Sequence, residues 1–199
     1  MNVPVTAPAI VLGIVSLGWI ALLARIFFLP GEWNLQWWLN TGPFAVGGVA
    51  MLAVLRGWLT PFVAPSTPAG GALAVAAVLL IAAGLLLGGY TLGTHRRRLA
   101  LWRQRDDAPD HLVEQGPYAW IRHPFYTSYL ISLIGCVLAA PHATTVVVLG
   151  FVAYRLNGTA AREEARFLAS SSCGARYAAY MRRTGRFLPR RLARYELRY

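Results

Sequence analysis

Long uncharged runs, separated by short polar interruptions, dominate the pattern along this chain. Residues 10–24 carry no charge, and the run extends from Val3 to Leu29 with Arg25 as its one interruption. About 20 apolar residues suffice to cross a bilayer core, so this run predicts a first membrane span. No basic stretch precedes it, which separates it from a signal peptide. Residues 33–55 are also uncharged and predict a second span, with Trp33, Trp37 and Trp38 at its start, where indoles favour a membrane interface. Thr60-Pro61 and the stretch Pro65-Ser66-Thr67-Pro68 mark a turn, and a third span follows over residues 71–93. Near its end Gly84-xxx-Gly88 and Gly89-xxx-Gly93 either permit close helix packing or reflect chance in a glycine-rich span.

A further 32 residues without formal charge lie between Arg122 and Arg155, with Pro141-His142 near the middle. Two full spans need about 40 residues and a turn. The run therefore predicts a short, tilted helical hairpin whose ends lie on one side, with Pro124 in the first turn of its first helix, where a missing N–H costs nothing. The expected architecture is an all-α integral membrane protein of about five transmembrane helices, the last two a hairpin, followed by a cytosolic C-terminal helical segment. Residues 1–95 form the scaffold and 96–199 the chemically equipped half of one integrated domain.

Charge orients this picture. Of 199 residues 56% are hydrophobic and 14% charged, and all 19 basic residues are arginine. The chain up to His95 carries two arginines and one acid, a net +1, whereas the remainder carries 17 arginines and seven acids, a net +10. The basic residues flank membrane-length runs, so the balance reads as bilayer orientation and excludes nucleic acid as the expected partner. The arginine-dense loop over residues 95–105 belongs in the cytoplasm, which puts the N-terminus outside and the C-terminus in the cytoplasm. Arginine-only basic usage with much alanine and glycine points to a GC-rich genome and a bacterial inner membrane. Disorder is excluded by composition. Cys136 and Cys173 make neither a disulfide framework nor a zinc site, and no metal is expected. The absence of lysine excludes a Walker loop and a Schiff base.

Candidate chemistry collects at two places. The first is the segment from Gly116-Pro117-Tyr118 through Arg122-His123-Pro124 to Tyr126, a turn leading into a helix N-terminus at the membrane surface. It reads either as a ligand site or as an interfacial anchor of snorkelling arginine and aromatic side chains. The second is Arg162-Glu163-Glu164 at the end of the fifth helix, followed by Gly174, Tyr177, Tyr180 and Arg186-Phe187-Leu188-Pro189. The acids either pair with surface arginines, which is worth little, or hold ribose hydroxyls or a cationic ligand. The predicted topology puts both on the cytoplasmic side, where they can converge.

At these residues the chain resembles the isoprenylcysteine carboxyl methyltransferase and phospholipid methyltransferase group of integral membrane enzymes. Leu112-Val113, Gly116-Pro117-Tyr118, Arg122-His123-Pro124 and Tyr126 match its box, Glu163-Glu164 its paired acids, and Gly174-x-x-Tyr177-x-x-Tyr180 with Arg186-Phe187-Leu188-Pro189 its closing motif. Ser128 departs from a frequent glycine, and Ser170-Ser171-Ser172-Cys173 from the usual charged residues and Phe.

The resemblance implies S-adenosylmethionine as cofactor. Leu112 and Val113 would offer backbone groups to it, Tyr118 would pack on it, His123, Pro124 and Tyr126 would line its pocket, and Glu163, or Glu164 one register on, would hold its polar end. In-line methyl transfer needs alignment and exclusion of water more than covalent help. Arg122 is the expected positioner of the acceptor, with Arg155 and Arg162 secondary. A carboxylate acceptor needs no base, whereas an amine or thiol would use His123 or Glu164. The expected partners are a lipophilic or lipidated acceptor and membrane lipids. Two alternatives stand beside this: a sterol-reductase-like membrane oxidoreductase using NADPH, whose chains have a similar R-H-P-x-Y box, and a non-enzymatic protein binding anionic lipid or a partner through its basic face.

Overall fold

The computed structural model describes residues 6–26, 35–94 and 112–190. These residues are all helical in their regular structure: α1 (Thr6–Ile26), α2 (Leu35–Leu55), α3 (Pro68–Thr94), a single 3-10 turn (Gly116–Ala119), α4 (Pro124–Ala139), α5 (Ala143–Ala169) and α6 (Gly174–Arg183). Expectations about the basic loop over residues 95–105 and about the arginines beyond residue 190 lie outside the described residues.

Sequence punctuation explains most of the boundaries. Pro68 and Pro124 open α3 and α4, each supplying a preset φ where no N–H is needed. The break at Pro141-His142 separates α4 from α5, and His142 caps α5 by accepting from the Thr144 N–H through Nδ1 at 3.2 Å. In one respect the helices differ from the charge pattern. α5 does not stop where the uncharged run ends at Arg155 but continues for 14 residues, to Ala169, through Arg162, Glu163 and Glu164. Those residues are strong helix formers.

By length and apolarity one described helix, α3, is sufficient to cross a membrane; shorter apolar stretches occupy Thr6–Ala21, Gly42–Leu55 and Pro124–Ala139. The 16 residues of α4 span about 24 Å, consistent with a short hairpin arm and less than a full bilayer core.

α4 is the most enclosed helix, packing against α3, α1 and α5. Its closest partner is α3, because glycines let the backbones meet. A methyl group added at Gly84 would collide with Ser132 and sit 2.8 Å from the Ser128 carbonyl oxygen; one added at Gly135 would sit 3.0 Å from the Ala77 carbonyl oxygen. Gly88 also faces Ser128, whereas Gly89 and Gly93 meet nothing. The first glycine pair is therefore a packing device and the second is not. Phe44, Met51, Ile81, Phe125, Leu133 and Val152 fill the core among these helices.

Exposed aromatics mark both ends of the bundle. Trp58 and Phe62 lie at the α2–α3 end, where the Phe62 N–H donates to the Pro141 carbonyl at 2.7 Å and the Phe62 ring stacks on His142. Tyr90 and Trp120 lie towards the opposite end, where α3 finishes and α4 begins.

Candidate active site

The two sequence constellations meet at the α4 N-terminus. Gly116, at φ +60° and packed against Thr94 of α3, sets the turn that opens the 3-10 segment. Residues 120–123 then run alongside and pair with residues 185–186. The Arg122 N–H donates to the Gly185 carbonyl at 2.8 Å, the His123 N–H to the Arg186 carbonyl at 3.1 Å, and the Gly185 N–H to the Trp120 carbonyl at 3.3 Å. One turn into α4, Thr127 donates through Oγ1 to the Phe187 carbonyl at 2.8 Å. The C-terminal segment after α6 is thus strapped along the Arg-His-Pro sequence, and the Tyr180 hydroxyl reinforces it by donating to the Tyr118 carbonyl at 2.6 Å.

Within this frame the paired acids have different surroundings. Glu164 is 3% exposed. Its Oε1 accepts from Arg122 Nε at 2.9 Å and Arg186 Nε at 3.1 Å, and its Oε2 from Arg186 Nη2 at 2.5 Å. Arg122 further donates through Nη1 to the carbonyls of Thr184 and Met181, and Arg186 donates through Nη1 to Asn157 at 2.8 Å. Burial works to raise the Glu164 carboxyl, but the adjacent His123 imidazole and the hydrogen bonds from Arg186 and Arg122 outweigh it and hold the group well below its usual range. Glu164 is consequently ionised and a weak proton acceptor.

Glu163 has no arginine within ion-pair distance among the described residues. One oxygen accepts from the Tyr126 hydroxyl at 2.6 Å and the other lies 3.4 Å from His123 Nδ1. His123 stands between the two acids, its ring stacked at 5.4 Å on Tyr126. Its Nε2, 3.3 Å from Glu164 but off the hydrogen-bond line, is buried without a hydrogen-bonding partner. Burial lowers the affinity of this imidazole for a proton, yet the close carboxylates of Glu163 and Glu164 dominate and raise it above its ordinary value. Burial also pushes the Tyr118 phenol upward, helped by Tyr180 and the Glu163 charge, so it stays neutral.

Of the residues singled out from sequence, Tyr118, Arg122, His123, Tyr126, Glu163 and Glu164 come together, with Pro124 buried in the first turn beneath them. Leu112 and Val113 run half-buried into the 3-10 turn. Two expectations need correction. Arg122 is not a free guanidinium awaiting an acceptor: it is 10% exposed and committed to Glu164 and two carbonyls. Arg162 faces solvent and bonds Thr159 of its own helix at 3.0 Å, outside the cluster. Sequence reasoning gave Arg186 no role, although it belongs to the quoted Arg186-Phe187-Leu188-Pro189 motif; a buried acid in an arginine-rich chain was the available signal. No cluster of three or more metal-ligating side chains occurs among the described residues.

Such an arrangement defines a class: an apolar helical bundle closed at one end by a buried charge network that leaves one carboxylate unneutralised by arginine. The chain belongs to the isoprenylcysteine carboxyl methyltransferase (ICMT) family, whose model matches residues 72–170. This is a family of membrane-integral methyltransferases. The matched segment contains most of α3, all of α4, and Glu163 and Glu164; α6 and the strap bearing Arg186 follow it. No curated protein and no solved structure gives a significant match.

Proposed function

We propose that this protein transfers a methyl group from S-adenosylmethionine to a lipophilic acceptor at the cytosolic membrane face. The observation that carries the proposal is the division of labour between the acids, set within a family of membrane methyltransferases. Glu164 is spent on Arg122 and Arg186. Glu163, beside an unpartnered His123 Nε2, keeps acceptor capacity for the ammonium or ribose hydroxyls of the donor. The residues present therefore fit such a cofactor: Glu163 and His123 would hold its polar parts, Tyr118 and Tyr126 would pack against it, and the backbone at Leu112 and Val113 would close one side.

When bound, the cofactor supplies an electrophilic methyl carbon on a sulfonium. The chain's own residues do the positioning. Arg122 and Arg186 act through Glu164, clamping the C-terminal strap over the α4 N-terminus and so fixing His123 and Glu163. Tyr126 orients Glu163. The buried aromatic rings keep water from the reacting atoms. His123, which holds its proton to higher pH than usual, serves better as a hydrogen-bond donor than as a base, favouring an acceptor that needs no deprotonation, such as a carboxylate.

A five-span arrangement with the N-terminus outside fits this reading. The two aromatic ends are separated by the length of α3, about 40 Å, which matches a bilayer with its headgroup regions. The NADPH reductase and the non-enzymatic lipid binder have no comparable support. The test is incubation of membranes containing the protein with methyl-tritiated S-adenosylmethionine, followed by organic extraction. Label in an extractable product, absent with Glu163→Gln, supports the proposal; label no higher than in membranes lacking the protein overturns it.

A further inference from the structure

Residues 174–190, which form α6 and the strap, contain five arginines and no acid. α6 is amphipathic: Tyr177 and Tyr180 are buried, while Arg176, Arg182 and Arg183 are exposed. Ion pairs account for part of this charge. Arg186 is held by Glu164, and Arg176 and Arg183 share Glu114. Arg182 and Arg190 are left over. The Arg182 side chain is exposed and pairs with no described residue. Arg190 turns back to α6 and donates through Nη1 to the carbonyls of Met181 and Arg182, at 3.3 and 2.7 Å. Two arginines without a carboxylate partner among the described residues therefore share the last turn of α6.

Helix C-terminal carbonyls attract cations, so basic charge alone at this end is ordinary. The apolar groups beside it are not. Leu188 is 74% exposed and Trp120 57%. Both border the strap pairing. The Trp120 carbonyl accepts from the Gly185 N–H at 3.3 Å, and the chain turns so tightly after Gly185 that a side-chain carbon there would collide with the Leu188 carbonyl. Trp120 also belongs, with Tyr90, to the aromatic end of the bundle, which sets the strap at the depth of a membrane–water boundary. Uncommitted arginines beside an exposed leucine and tryptophan are the pattern of a segment lying on a negatively charged membrane surface.

We propose that the end of α6 and the strap form a docking surface for anionic phospholipid headgroups, and that this contact holds the strap closed over the α4 N-terminus. Leu188 and Trp120 enter the interface, and Arg182 and Arg190 meet the phosphates. Such a lipid surface discriminates between strap positions. Arg190 and Leu188 ride on the strap and Arg182 on α6, so they present one face only while the strap lies along residues 120–123. A partner that needs all three favours that arrangement. Because the strap also carries Arg186 to Glu164, membrane charge reaches the cap through the backbone pairing of Arg122 and His123. The proposal rests on the membrane setting of the family and not on methyl transfer.

The test uses the purified full-length chain in nanodiscs of phosphatidylcholine, with or without added phosphatidylglycerol. Amide hydrogen exchange is read at Arg122 and His123, the donors to the strap carbonyls. Exchange there should be about 10- to 30-fold slower in the anionic discs, about fivefold for each of two arginines. The difference should vanish in about 0.5 M salt. Arg182→Gln should reduce the slowing to about fivefold without changing exchange in phosphatidylcholine, and Arg182→Gln combined with Arg190→Gln should remove it. Equal exchange in the two discs, a slowing that survives the double variant, or one produced by inorganic phosphate in phosphatidylcholine discs overturns the proposal. S-adenosylmethionine binding is measured in the same discs. Its absence would refute the methyltransferase reading and leave the exchange comparison intact.

Discussion

The apolar body and the charged cap are built on the same helix, α4, by opposite means. In the body, α4 meets α3 through Gly84 and Gly135, and the contacts are dispersion between closely approached backbones. In the cap, the residues just before α4 are held by backbone pairing to the strap and by an ion network centred on Glu164. The body does not tolerate added volume at Gly84 or Gly135. The cap tolerates little loss of charge, because each partner removed leaves another buried and unpaired. The comparison teaches that the two ends of one helix are held by physically separable means, one electrostatic and one steric.

The strongest way to break the comparison is at its hub. Glu164→Gln leaves Arg122 and Arg186 without their counter-charge, and breaking a buried pair costs about 3–5 kcal/mol. Thermal unfolding in detergent should show a large fall in Tm, with loss of S-adenosylmethionine binding as the strap releases. In the body, Gly84→Ala should cost about 1–3 kcal/mol through overpacking against Ser132 and the Ser128 carbonyl. Cofactor affinity should survive in the folded fraction, and calorimetry beside thermal melts separates the two effects.

The pH dependence sharpens the cap's side of the contrast. His123 binds its proton more tightly when folded, so its contribution is fully present below its ordinary 6.5 and lost as pH rises through the higher folded value. Glu164 behaves oppositely: its contribution is present above its ordinary 4.5 and lost as pH falls towards the depressed folded value. Stability should therefore peak between about 4.5 and 6.5, measured as Tm against pH, and Glu164→Gln should flatten both flanks. The smallest effect belongs to the exposed fringe. Glu114 pairs with Arg176 at 2.9 Å and with Arg183 at 2.5 Å, both largely solvent-exposed. Glu114→Gln should cost less than about 1 kcal/mol, and the loss should vanish in high salt.

How much of this was legible in the sequence follows the same divide. Helices α1 to α4 were legible because uncharged runs and prolines at residues 68, 124 and 141 report directly on span and break. The continuation of α5 past Arg155 to the paired acids was legible too, but its last turn to Ala169 was not, since charge marks where a run leaves an apolar setting and not where a helix ends. The strap was illegible because backbone pairing between residues 120–123 and 185–186 leaves no periodic trace. The motifs singled out both acids, but Glu163 and Glu164 sit about 100° apart on a helix, and only the packed neighbours decide which is neutralised. The engagement of Arg122 was hidden for the same reason: an arginine beside a helix N-terminus looks available until its partner 42 residues away is in place.

The central claim is that the cap binds a sulfonium methyl donor through Glu163. Isothermal calorimetry on the purified full-length chain, titrated separately with S-adenosylmethionine and NADPH, tests it most directly. The account predicts binding of S-adenosylmethionine alone, weakened about 10- to 100-fold by Glu163→Gln in the folded fraction, the loss of hydrogen bonds to a charged group, with a smaller fall in Tm than Glu164→Gln produces. Binding of NADPH instead, or S-adenosylmethionine affinity indifferent to Glu163→Gln, would contradict it.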